Sequence, residues 1–238
     1  MKLYQDINEV KDILLDNSKI LSLPINNKVK ELLLNANKDV LCSNAELHFA
    51  KIHSHYTYVR DFCQQAGISE RGTVHDLSKW SAEELFESIY FYEGTRSPID
   101  KANEILGWSP AFTHHIRHNE HQLENSIYIN GGMIKPIKKE FEASIEVVCD
   151  FCGAAKAYLG EKFTFKGEIQ WWNNRKKILE EANTIHPLTS MFITKSLEQC
   201  AEIERILTYT EFQKVWEEIN KSNKLVLGND ILENAVEI

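Results

Sequence analysis

Four of the chain's nine histidines, His114, His115, His118 and His121, fall within eight residues. On a helix, at about 100° per residue, His114, His118 and His121 share one face and His115 lies beside them. A face of clustered imidazoles is either solvated or holds a metal, and the clustering favours ligation. The dipeptide His75-Asp76, in Thr73-Val74-His75-Asp76-Leu77-Ser78-Lys79-Trp80, is the second feature. There a neutral imidazole nitrogen and a carboxylate oxygen can turn to one metal. Upstream, His53 and His55 lie on a helix with Tyr58 and Val59. Downstream, Asp150 projects from a long apolar helix, where an unpartnered carboxylate is costly. Each motif is common alone; the ordered set on four helices is much rarer.

Other side chains suit a phosphate-bearing ligand. An ammonium at Lys79, one turn from Asp76, would neutralise charge building on transferring phosphoryl oxygens, or else pair with Glu83 at the surface. Arg117 is a second phosphate candidate, and Asn119 can orient a water or a ligand. Glu83 and Glu84, in the first turn of a helix, are acid/base candidates by proximity, or partners of the helix dipole. Trp171-Trp172-Asn173-Asn174-Arg175 pairs large π-faces with a cation, suited to base stacking with phosphate contact, or to a core. His186, before Pro187, can cap a helix, ligate or contact substrate. His48 reads as structural. Cys149-x-x-Cys152 resembles half a zinc site, but no second such motif exists. Five scattered cysteines fit buried, reduced thiols better than a disulfide framework.

The elements that must position these residues are helical. Gly and Pro number only 10 and 5, and apolar residues recur at helical spacing. The expected helices run from Tyr4 to Leu21, Lys28 to Asn37, Ser43 to Ala66 (with Glu46 completing a capping box) and Ser81 to Phe91. They continue from Asp100 to Leu106 and from Pro110 through the histidine cluster. Asn130-Gly131-Gly132 marks a turn, and Pro136 opens a long helix through Ala157. Three more follow: Gly167 to Asn183, Pro187 to Leu207 and Glu211 to Asn220. A length of 238 residues gives one large domain or one with an appendage. The expected division is a helical extension over 1–42, a metal-binding helical domain over 43–220 and a tail over 221–238. The extension's apolar stripe packs on its own domain, lids the site or forms a homodimer face. A net charge of −8 argues against a nucleic-acid polymer as partner and leaves a small anionic substrate. No segment is apolar enough to span a membrane, and the N-terminus meets acids before an apolar signal region forms, so a cytoplasmic protein is expected.

In these motifs the chain resembles the HD-domain superfamily of metal-dependent phosphohydrolases, all-α proteins that gather ligands from several helices around one or two divalent metals. His75-Asp76 matches the signature dipeptide. Within that superfamily it looks like DUF5662, a group often of phage or bacterial origin. The resemblance rests on His55-x-x-x-Val59, His75-Asp76-Leu77-Ser78-Lys79-Trp80-Ser81, His114-His115-x-x-x-Asn119-x-His121 and Glu146-x-x-x-Asp150. It extends to Trp171 and His186-Pro187-Leu188-Thr189. It implies an HD-like helical bundle in which His55, His75, Asp76 and Asp150 hold a core metal and His115 and His121 a second. His55 is preferred to His53, and His115 to His114. Lys79 resembles a lysine that contacts substrate phosphate.

Mixed nitrogen and oxygen ligation suits octahedral Mn²⁺, Fe²⁺, Co²⁺, Ni²⁺ or Mg²⁺. The expected reaction is phosphoester hydrolysis, with Asp76 and Asp150 fixing metal, a metal-held water attacking, and Lys79 or Arg117 offsetting oxyanion charge. Glu83 is the nearby acid/base candidate, while Arg117, Asn119, Trp171, Arg175 and His186 are the substrate-contact candidates. A nucleotide or a nucleotide-derived signal is the first choice of substrate. Two other readings are a catalytically silent module that binds a nucleotide or protein, and an HD-fold di-iron oxygenase.

Overall fold

A computed structural model of the chain describes residues 1–233; the last five residues of the expected tail lie outside the described residues. The protein is mostly α-helical, with one small two-stranded sheet among the described residues. Helices α1 (Ile7–Leu15), α2 (Asn17–Ser22), α3 (Asn27–Asn35), α4 (Lys38–Gln65), α5 (Ser69–Val74), α6 (Ala82–Tyr90), α7 (Pro98–Leu106) and α8 (Pro110–His118) precede a hairpin of β1 (Ile127–Asn130) and β2 (Met133–Pro136). Then come α9 (Phe141–Leu159), α10 (Phe165–Glu181), α11 (Pro187–Ile203) and α12 (Tyr209–Glu233). No helix among the described residues is long and apolar enough to cross a membrane.

The chain forms two compact units, one of residues 1–58 and 74–120, the other of residues 59–73 and 121–238. The expected boundary after residue 42 falls inside α4. That helix starts at Lys38 because Asn37 caps it, its side chain accepting from the Asp39 and Val40 N–H groups at 2.9 and 3.2 Å. Ser43 and Glu46 therefore lie within the helix and cap nothing. Leu41, Ala45, Phe49 and Ile52 form one stripe of α4 that joins the first unit's core.

That core contains Val10, Ile13 and Leu14 of α1, Ile20 of α2 and Val29 and Leu33 of α3, packed with Trp80, Leu85, Phe86 and Ile89. The Tyr4 N–H donates to the Trp80 carbonyl at 2.7 Å, and the Tyr4 ring meets Phe86 edge-on at 5.5 Å. The first forty residues are thus a wall of the core, each fully buried large side chain contributing about 1.5–3 kcal/mol. The single helix expected from Tyr4 to Leu21 is broken at Asp16. Its side chain accepts from the Ser18 N–H at 2.8 Å and starts α2 where α1 ends.

The second unit packs Val59 and Phe62 of α4, Ile145, Val148 and Cys149 of α9, Trp172 of α10, Phe192 and Leu197 of α11 and Phe212 of α12. A Cβ on Gly153 would lie 2.4 Å from Val59 Cγ2, so only glycine lets α9 come this close to residue 59. Cys63, Cys149, Cys152 and Cys200 are buried and Cys42 half-buried, none in a disulfide. Asn130-Gly131-Gly132 is the turn of the hairpin, with φ of 56° and 85° at the two glycines, the positive values that a tight two-residue connection requires. Pro136 does not open a helix. It pairs with Ile127 at the end of β2, a place where a missing N–H is tolerated, and α9 begins at Phe141. At the other end, α12 runs through the expected tail to Glu233.

His48 of α4 is buried in the first unit, its ring 5.5 Å from Tyr92 and its Nδ1 without a hydrogen-bond partner. Burial, helped by the Lys79 charge, pushes its pKa down to about 3. An unfolded histidine titrates near 6.5, so below that pH the unfolded chain takes up a proton that folded His48 refuses. This contribution is intact above pH ~6.5 and drains away as pH falls towards 3. A His48→Phe variant should lose less stability than the parent on going from pH 7 to pH 4, by about 3 kcal/mol. Urea unfolding at several pH values measures it, and parallel acid limbs for the two proteins would refute this account.

Candidate metal centre

In the first unit α4, the segment after α5, and α8 bring four of the expected ligands together. His55 lies on the α4 face that carries Ile52, two residues from His53, which is exposed with its ring 5.0 Å from Trp80. His75 and Asp76 follow α5, and Asp76 stands at φ 56°, ψ 21°, a left-handed conformation that a non-glycine residue adopts at a cost of order 1–3 kcal/mol. The 3₁₀ turn Leu77–Trp80 then folds Lys79 back, placing its Nζ 2.5 Å from Asp76 Oδ2. Lys79 thus pairs with Asp76.

His55 Nε2 lies 2.9 Å from Asp76 Oδ2 and 3.2 Å from His75 Nε2, and His75 Nε2 lies 3.2 Å from the same carboxylate oxygen. All three residues are buried. Ligands ~2.1 Å from one cation lie ~3.0 Å apart at octahedral angles and ~3.4 Å apart at tetrahedral ones. The two nitrogens and one oxygen thus lie close enough together to share one ion, at spacings between the two geometries, and the donor set fits a metal. His115 approaches from α8, its Nε2 3.3 Å from Asp76 Oδ1, while His114 turns away.

Glu84 decides between those two histidines. It is buried on α6, accepting from His115 Nδ1 through one oxygen and from His114 Nδ1 through the other, each at 2.7 Å. Burial alone would raise this carboxyl; the hydrogen bonds from His114 and His115 overcome it and hold it below its ordinary range. The same contact with Glu84 raises His114. With Nδ1 committed to a carboxylate, His115 presents Nε2, the arrangement usual for ligating imidazoles. Glu87, one turn on, holds the start of α8, accepting from Ser109 Oγ at 2.5 Å and the Ala111 N–H at 3.1 Å. Asn119 donates to Ser78 Oγ at 2.7 Å and to the His115 carbonyl at 2.8 Å, bracing His115. Glu83 lines an outer cleft of about 450 Å³ with His114 and His118. Arg117 is exposed in the last turn of α8.

The second unit holds a cluster of its own. His121 Nδ1 lies 3.0 Å from Glu146 Oε1, and its Nε2 3.7 Å from Asp150 Oδ2. Arg71 donates through Nε to Glu146 Oε2 at 2.7 Å. The sequence reading gave no role to Arg71 and none to Glu146 beyond its motif; the signal was the spacing of Glu146 and Asp150, one helical turn apart on α9. Glu168 of α10 is also buried there; burial, then the nearby Asp150 charge, pushes its pKa up to about 8. The six residues that the resemblance makes ligands therefore divide four and two between the units.

The remaining candidates are placed otherwise. Trp171 is half exposed, edge-on to Phe151 at 5.1 Å, whereas its neighbour Trp172 is fully buried and donates to Thr194 Oγ1 at 2.9 Å. Arg175 pairs with Glu124 at 3.2 Å. His186 is the cap of α11, its Nδ1 accepting from the Leu188 N–H at 3.2 Å.

A mostly helical protein with buried histidine and carboxylate groups that could hold a metal ion is the class that these features define. Residues 44–199 match the family of unknown function DUF5662, and the chain belongs to that family. No curated protein and no solved structure matches it.

Glu146 joins Arg71 and His121 in a largely buried pairing, and removing its carboxylate takes a charge partner from both. Glu146→Ala should therefore destabilise the protein by about 2–4 kcal/mol, read from urea unfolding, and Glu146→Gln by less. A loss within ~0.5 kcal/mol for Glu146→Ala would show that the pairing contributes nothing.

Proposed function

We propose that the protein is a metal-dependent phosphohydrolase of the HD type, acting on a phosphoester in a small anionic substrate. What carries this reading is the spacing of His55, His75 and Asp76, close enough for one ion to touch all three, with an ammonium at the same carboxylate. A divalent cation held there would supply Lewis acidity and activate a water near neutral pH. The chain's own residues do the rest. His55, His75 and Asp76 bind, and Glu84 orients His115 so that its Nε2 faces Asp76. Lys79, about a third exposed, can swing from Asp76 to the transferring phosphoryl group and offset its growing charge. Asn119, engaged with Ser78 and His115, acts as a positioning residue. The choice of a nucleotide or nucleotide-derived signal rests on the superfamily resemblance and on the net charge of −8, which disfavours a polymer.

A second reading, a catalytically silent binding module, draws on the same ammonium. Lys79 already places a cation on Asp76 Oδ2, which a metal must share or displace.

Elemental analysis beside phosphate release on a phosphoester panel distinguishes the readings. The wild type should carry one or two equivalents of a divalent metal, lost in Asp76→Ala together with turnover. Lys79→Ala should keep the metal and lose turnover by about 10²-fold or more. Metal without turnover on any phosphoester supports the binding module, and iron with oxygen uptake in place of phosphate release supports an oxygenase. Retained turnover in Asp76→Ala removes the proposal.

A further inference from the structure

The hairpin of the second unit is bare on both of its faces. Residues 128–135 are exposed throughout, and the pair Ile127 and Pro136 closes the base of the ladder. Cross-strand pairing sets Ile129 beside Ile134 on one face, and Tyr128 beside Lys135 and Asn130 beside Met133 on the other. Tyr128, Ile129, Met133, Ile134 and, just past the ladder, Ile137 each leave 47–71% of their surface to solvent. The base is anchored. The Ile137 N–H donates to the Ser126 carbonyl at 2.7 Å, Lys139 Nζ to Ser126 Oγ at 2.8 Å and the Lys139 N–H to Thr189 Oγ1 of α11 at 3.1 Å. Cations collar this base: residues 127–139 contain three lysines and no acid, in a chain whose net charge is −8. Lys139 is buried, but Lys135 is exposed, and Lys138 Nζ meets neutral groups, Asn220 Oδ1 at 2.6 Å and the Trp216 ring at 4.1 Å. Both act on His186, whose pKa is lowered by burial and then by these two charges. The flanking acids are Glu124, paired with Arg175 at 3.2 Å, and Glu140.

We propose that this hairpin docks the protein on an anionic lipid surface, its apolar tip entering the headgroup boundary and Lys135 and Lys138 meeting the lipid anions. The occupant must cover apolar side chains on both faces at once. A groove on a partner protein takes one face of a ribbon, whereas a lipid surface surrounds the tip. A second copy docked hairpin to hairpin would bring the lysines of both together. From its base to its turn the hairpin rises about 10 Å, matching the ~5–10 Å to which interfacial segments sink. At that depth the outward N–H and C=O groups of two short strands keep contact with water, which the hydrocarbon core would deny them. Acids elsewhere on the chain are screened beyond ~8 Å at physiological salt, so the collar sets the local sign. Such docking needs no spanning segment and stands independently of the phosphohydrolase reading.

Flotation of the full-length protein with vesicles of phosphatidylcholine alone, and of phosphatidylcholine with ~30% phosphatidylserine, tests it. The anionic vesicles should bind the protein at least ~10-fold more tightly than the neutral ones, and less so in ~0.5 M salt. The double variant Ile129→Ser/Ile134→Ser and the single variant Lys135→Glu, all at exposed positions, should each weaken binding about tenfold while leaving the thermal midpoint unchanged. In Ile129→Trp, lipids brominated in the acyl chain should quench a fluorescence component that the wild type lacks. The proposal fails if neither vesicle is bound, if the neutral one is bound as tightly, if both sets of substitutions leave binding unaltered, or if the new tryptophan is not quenched. A hairpin that self-associates or captures a protein while leaving vesicles unbound overturns it as well.

Discussion

A carboxylate taken out of water must be met by positive charge or hydrogen-bond donors, and Asp76 is almost wholly buried. Its left-handed backbone aims it at one point, and four segments converge there: α4 with His55, the preceding residue His75, the 3₁₀ turn with Lys79 and α8 with His115. Each supplies a group that carries or accepts a proton, so the local charge balance depends on all of them.

Two acids of α6 translate this demand into the placement of a helix. Glu87 satisfies the beginning of α8 and Glu84 its histidines, so the helix is pinned at both ends of one face. Consecutive histidines differ by about 100° in direction, and the two oxygens of one carboxylate are enough to separate them. The N-terminal helices serve the same end less directly: by closing the core around Trp80 and Phe86 they fix the segment that carries His75 and Asp76.

Much of this was legible in the residues. The preference for His55 and His115 over their neighbours came with the family resemblance; in the structure His55 falls in the buried stripe of Ile52 and His115 in that of Ala111 and Asn119. Glu84, with Glu83, reads in sequence as an acid/base candidate or a dipole partner; that it holds His114 and His115 shows only once α8 is packed upon it. Asn37 outranked a well-formed capping box that lies within the helix. Adjacent tryptophans point in different directions on α10, which sent Trp172 to the core and Trp171 to the surface. Aspartate enters the left-handed region more readily than most residues, so the turn at Asp76 is locally permitted, closed by the Lys79 N–H on its carbonyl and joined by its side-chain partners.

The hairpin shows what a misread proline does for the molecule. Ile129, Met133 and Ile134 are more than half exposed on β1 and β2, an apolar ribbon of a kind that invites strand-to-strand assembly between molecules. Each strand has only four residues, Lys135 places a charge among them, and Pro136 ends the ladder with a residue that has no N–H to donate. A ribbon this short, charged and blunted offers an incoming chain too few backbone partners to grow. The residue that looks, in sequence, like the start of a helix is the one that ends this ladder.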